Sequence, residues 1–121
     1  MGVIQFFENF ESPYKDWFFT GGAGFDFGKG LARRGQGNAW VRNTAGWNAI
    51  NRWWNVQPHS ICYVHAWLRL SPNLTDGYIS VRHDEDRQPD GKFDVIREIK
   101  LVGPGPQNPE NANYNPYTFE F

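Results

Sequence analysis

The sequence predicts an all-β protein built as a two-sheet β-sandwich, and three observations predict it. Apolar and polar residues alternate with a period of two along several short runs, the pattern of a strand with one covered face and one open face. Aromatic residues make up 17% of the chain, with six Trp, ten Phe and five Tyr, side chains that suit a pleated surface. Thirteen Gly and eight Pro interrupt the runs at short intervals. No window sustains an apolar stripe at the helical period of 3.6 residues.

The expected strands, in order, are residues 3–10, 16–20, 24–28, 38–43, 47–56, 61–70, 77–83, 92–101 and 114–121. Turn chemistry separates them: TGGAG after 16–20, GKGLARRGQGN after 24–28, NTAG after 38–43 and QPHS after 47–56. SPNLTDG, DEDRQPDG and VGPGPQNPENANYNP supply the later breaks. Eight or nine short strands in 121 residues describe a jelly roll. Residues 103–116 are long and nearly free of apolar side chains, so they are the expected mobile loop. Composition does not shift along the chain and no repeat is visible, so residues 1–121 read as one domain. A chain of this size buries roughly two-thirds of its unfolded surface, enough to fold without a metal or a disulfide.

The formal net charge is −1, which provides no overall field to recruit nucleic acid or an acidic membrane. No run approaches the roughly 20 apolar residues of a membrane span. The opening MGVIQFFENF has neither a basic start nor a small-residue cleavage site, so it does not read as a signal peptide. The single cysteine, Cys62, falls in an apolar series and reads as a packed thiol.

The run ICYVHAWLRL separates into two faces. Cys62, Val64, Ala66, Leu68 and Leu70 form a small apolar series, while Ile61, Tyr63, His65, Trp67 and Arg69 form the other. NAWVRN repeats the pattern, with Ala39 and Val41 against Asn38, Trp40 and Arg42. So does GYISVRH, with Ile79 and Val81 against Tyr78, Ser80 and Arg82. If the three strands share a sheet, their second faces merge into one aromatic and hydrogen-bonding surface. In WNAINRWWNV, Ile50 and Val56 suit the core, and Trp47, Asn51 and one of Trp53 or Trp54 suit that surface. The Trp53–Trp54 pair cannot face one side of a regular strand, which calls for a bulge or a strand end.

Such a surface matches the chemistry of sugars. Aromatic rings cover the C–H patches of sugar rings at small cost in side-chain freedom. Arg, Asn and His make directional bonds to the hydroxyls, the guanidinium in a fixed planar geometry. On this reading Trp40, Tyr63, Trp67 and Tyr78 stack, Arg42, Arg69, Arg82, Asn38 and His65 hydrogen-bond, and Trp47 joins them. The same face equally suits docking of another protein chain in an interaction or structural sandwich.

Other chemistries find less in the sequence. His59, His65 and His83 lack metal-ligand spacing. HDEDRQPDG lacks the order of a calcium-binding loop and reads as a solvated hairpin tip. Glycoside cleavage needs two carboxylates about 5 to 9 Å apart, and Asp26, Asp94 and Glu98 are out of phase with the aromatic face. No Ser sits in a G-x-S-x-G elbow. Bases stack as sugars do, but the charge balance lacks the basic stripe of a nucleic-acid binder.

The ordered segments ENFES, DWFFTGGAGFDFG, ARRGQGNAWVRNTAGWNAI, VQPHSICYVHAWLRLS and DGYISVRH resemble carbohydrate-binding modules of the family 4 and 9 kind, within the galactose-binding-domain-like jelly rolls. The resemblance runs over about residues 8–83 and includes Pro58, Tyr63, Ala66 and Trp67. It implies a non-catalytic module that binds a glycan on one sheet face, attached to or associated with a glycan-active enzyme, at an extracellular or cell-surface location. It also implies a structural calcium held partly by Glu11, with Glu8 as a lesser helper. The chain departs from the pattern at its close, YTFEF, where such modules carry an acidic pair completing the ion site.

Overall fold

The computed structural model describes residues 7–12, 16–42, 46–84 and 92–121. Its strands are β1 (Phe18–Thr20), β2 (Ala23–Phe27), β3 (Gly37–Val41), β4 (Ala49–Asn51), β5 (Tyr63–Leu68), β6 (Gly77–His83), β7 (Asp94–Leu101) and β8 (Asn115–Glu120), with a 3-10 turn at Pro109–Asn111. The protein is all-β. Each described pairing is antiparallel: β1 with β4, β2 with β3, β5 with β8 and β6 with β7.

Every expected run after the first overlaps one of these strands. Half of the first, 3–6, lies outside the described residues, and its described half, 7–10, forms no strand. The run 47–56 shortens to Ala49–Asn51, so Trp53 and Trp54 lie past a strand end and are both half-buried. The tip HDEDRQPDG falls largely outside the described residues.

One expectation is corrected. Among the described residues the strands carrying Trp40, Trp67 and Tyr78 are not paired with one another: β3 pairs with its hairpin neighbour β2, β6 with β7, and β5 with the distant β8. The chain divides into two compact units, Met1–Val56 and Gln57–Phe121.

In the first unit, rings and carboxylates organise short ladders. Phe25 of β2 lies 5.3 Å from Phe10 and meets Phe19 of β1 edge-on at 4.9 Å, and Phe10 lies 5.5 Å from Trp17. Glu8 accepts hydrogen bonds from the Phe10 N–H and from the Trp17 indole, both at 2.9 Å. Asn48 accepts from the Gly22 N–H at 2.7 Å and ties the β1–β2 turn to the approach to β4. Between β2 and β3, Gly24 faces Trp40 in register. The indole covers that glycine so closely that a Cβ there would stand 2.8 Å from the ring.

In the second unit the inner series of β5, Val64, Ala66 and Leu68, is half-buried, and Val64 faces Phe119 of β8. Mutual backbone bonds between Cys62 and Phe121, each 2.9 Å, extend this ladder by one pair. Val81, Leu101 and Phe119, each 7% exposed, are the buried apolar side chains among the described residues. The Arg97 guanidinium of β7 sits 6.0 Å from the Phe119 ring, linking the two ladders of this unit. A bulge at Val81/Arg82 shifts the β6–β7 register, bringing Arg82 opposite Val95.

Phe119 therefore closes the second unit's small core. Phe119→Ala is expected to cost about 3–5 kcal/mol, the range for removing a buried aromatic side chain. Urea unfolding measures this, and a loss under about 1 kcal/mol, below that range, would contradict the assignment.

Candidate functional site

Strand alternation sends Tyr63, His65 and Trp67 to one face of β5, opposite Glu120, Thr118 and Pro116 of β8. Tyr63 is 68% exposed. His65, Thr118, Pro116 and Glu120 are exposed, and Trp67 is half-buried. The His65 ring is held from two sides. Its Nδ1 lies 2.6 Å from the Thr118 hydroxyl, and its plane meets Trp67 at 83° with centroids 6.2 Å apart.

Arg69 is next in the same alternation. It is exposed, and its guanidinium carbon lies 5.9 Å from the Tyr114 ring, a cation–π distance. Burial pushes the Tyr114 phenol above its ordinary value, and the Arg69 charge pulls part of the way back. Beyond Arg69 opens a cavity of about 470 Å³. Leu70, Pro72, Pro104 and Pro106 supply apolar wall, and Arg69, Ser71, Gln107 and Asn113 supply polar groups.

The loop forming the far wall, the segment expected to be mobile, carries a network of asparagine hydrogen bonds. The Asn108 side chain donates to the Tyr114 carbonyl at 2.8 Å and also meets Asn111 and Asn115. Asn113 Oδ1 accepts from the Asn108 N–H at 2.9 Å, and Asn115 donates to the Pro106 carbonyl at 2.8 Å. Ala112 and Asn113 adopt left-handed backbone at φ 52° and 63°, the turn that lets the Asn113 N–H return to the Asn108 carbonyl at 2.8 Å. Side-chain hydrogen bonds thus do here what apolar anchors do in other loops.

The remaining expected site residues stand on other ladders. On β6, Tyr78 is 43% exposed and faces Lys100, while Ser80 donates to Glu98. The Arg82 guanidinium stacks 4.3 Å over Phe93. In the first unit, the Arg42 guanidinium stacks 4.5 Å over Trp40, which is half-buried. Trp47, which precedes β4, is 57% exposed.

Strand β3 departs from the expected phase. Asn38 is only 9% exposed, with its Oδ1 lacking a partner among the described residues, whereas Val41 is 49% exposed. At the start of the strand the Phe10 carbonyl sits against Gly37 so tightly that a Cβ there would overlap it. Gly37 and Asn38 are both buried.

Glu11 acts as an acceptor. Its Oε1 takes the Gln36 N–H at 2.8 Å, and its Oε2 takes the Gly37 N–H. Both oxygens are thus directed at backbone N–H donors. No group of three His, Cys, Asp or Glu side chains suited to a metal occurs among the described residues.

Sequence reasoning missed Thr118, Pro116 and Glu120 as neighbours of Tyr63, His65 and Trp67. Alternation within YTFEF marks Thr118 and Glu120 as one series, but nothing local marks β8 as the partner of β5. It also missed Gln107 and Asn113, whose only signal is the asparagine density of NPENANYN. No family model matches the chain, and no curated protein or solved structure matches it either.

The Tyr114–Arg69 contact has a measurable pH signature. Because the folded phenol titrates above its ordinary value near 10, its contribution to stability is complete below pH 10. That contribution is lost as pH rises through the folded value. Tyr114→Phe should flatten this alkaline loss in denaturant titrations. Arg69→Gln should move the Tyr114 phenolate absorbance to higher pH, and movement to lower pH would contradict the contact.

Proposed function

We propose that this protein is a non-catalytic carbohydrate-binding protein that uses the outer face of the β5–β8 ladder, with a glycan as its partner. The observation that carries the reading is the emergence of Tyr63, His65 and Trp67 on one open face, with Arg69 next in line. Six strand steps from Tyr63 to Arg69 span about 20 Å, long enough to lie along several linked sugar rings.

The division of labour follows from the groups. The Tyr63 and Trp67 rings cover sugar C–H patches. Thr118 and His65, already bonded to each other, have further donor or acceptor capacity for hydroxyls. Because Thr118 and Trp67 both restrain the imidazole, little side-chain freedom is lost when a ligand arrives. Glycosidic cleavage would need a second carboxylate set about 5 to 9.5 Å from the first. The β5–β8 face carries Glu120, and the reading is recognition without cleavage.

The proposal includes the finer fold assignment, a jelly-roll sandwich of the galactose-binding-domain-like kind. Its support is the number and order of the strands and the inner apolar series of β5. Trp40, Arg42, Asn38, Trp47, Tyr78 and Arg82 are not required by the reading, because the β5–β8 face has both stacking and hydrogen-bonding groups.

Affinity electrophoresis against a polysaccharide panel, with circular dichroism as folding control, tests it. Tyr63→Ala and Trp67→Ala should each weaken retention about tenfold or more, the loss of more than about 1.4 kcal/mol expected of a central aromatic anchor. Tyr63 is open enough for its replacement to leave the fold intact. Unchanged retention in both variants would reject the reading.

A further inference from the structure

We propose that the cavity at the Arg69 end of the β5–β8 ladder is a subsite for a carboxylate-bearing sugar, so that the glycan recognised contains hexuronate units. This deepens the carbohydrate-binding reading and rests on it for the rest of the ligand.

Charge comes first. Among the described residues the cavity is lined by a cation, Arg69, and by no Asp or Glu. The described ion pairs are Arg52 with Asp16 and Lys100 with Asp76, so Arg69 has no carboxylate partner among the described residues. Its guanidinium lies 5.9 Å from the Tyr114 ring. A guanidinium set against a ring keeps its N–H edge available for a planar, two-pronged acceptor.

The polar neighbours have the same bias. Asn113 Oδ1 is already committed to the Asn108 N–H, which leaves its Nδ2 hydrogens to donate. Gln107 adds a further amide. Ser71 Oγ accepts from the Asn73 N–H at 3.3 Å, which leaves its proton available to donate. A cavity rich in donors and carrying an uncompensated positive charge selects a group that only accepts and carries the opposite charge, and an ionised carboxylate does both. The apolar wall of Leu70 and prolines faces the C–H side of a pyranose ring. The volume, about 470 Å³, lies within the range of small-ligand sites.

The test is a titration of the isotopically labelled full chain, followed by amide NMR, with glucuronate, glucose and glucose 6-sulfate as separate probes. Glucuronate should shift the amides of Gly105, Gln107 and Asn113, bind at least about tenfold more tightly than glucose, and weaken as salt rises. Arg69→Gln should weaken glucuronate about tenfold or more, with Arg69→Lys intermediate because it keeps charge and loses the fork. Equal affinity for glucuronate and glucose, tighter binding of the sulfate ester, or indifference to Arg69→Gln would each overturn the assignment. If polysaccharide retention depends on Tyr63 and Trp67 while the cavity amides ignore glucuronate, this inference fails alone. If glucuronate occupies the cavity while Tyr63→Ala and Trp67→Ala retain polysaccharide, the aromatic-face reading fails and the subsite stands.

Discussion

The pairing of β5 with β8 is the constraint on which the second unit depends. Its register puts Val64 opposite Phe119, and hence His65 opposite Thr118 and Trp67 opposite Pro116. A slip of one residue in a ladder exchanges its two faces. Here it would turn the rings of Tyr63, His65 and Trp67 inward and bring the small apolar series out. Burial of Phe119 resists that exchange. The same register brings Arg69 to Tyr114, and Asn115, at the start of β8, donates to the Pro106 carbonyl of the loop. The asparagine-built loop and its cavity therefore hang from the end of this ladder.

The first unit is organised differently. Its strands are short, and two carboxylates from the opening segment do much of the local joining. Glu8 gathers the Phe10 backbone and the Trp17 indole, and Glu11 gathers the Gln36 and Gly37 amides ahead of β3. Hydrogen bonds to an ionised acceptor are roughly twice as strong as neutral ones, which suits a segment with few ladder bonds. Glu11, which the resemblance marks as an ion ligand, holds the β2–β3 loop against the opening segment.

Strand positions were readable where alternation was undisturbed. The run 77–83 appears residue for residue as β6, and the two faces of β5 follow the expected series. Partnership was not readable, because the His65–Thr118 pair spans 53 residues and neither segment carries a local mark of the other. Phase failed at β3, where Asn38 is buried and Val41 exposed, and where the Phe10 carbonyl and Glu11 pack against the neighbouring Gly37. Alternation reports only what a strand's own residues prefer, so covering by a distant segment escapes it. The hydrogen bonds of the loop at 103–116 were not readable either: its low apolar content says nothing of the side-chain bonds that Asn108, Asn113 and Asn115 make there.

The aromatic face exists only if β5 turns its rings to solvent while its small residues are covered. A soluble paramagnetic relaxation agent reads that directly through side-chain NMR signals. Strong broadening at the rings of Tyr63 and His65 and at the Thr118 methyl, with sharp resonances at the Val64 methyls and the Phe119 ring, is the expected result. The inverse pattern, broadened Val64 and Phe119 beside sharp Tyr63 and His65, would contradict the strand's phase and with it the proposed recognition surface.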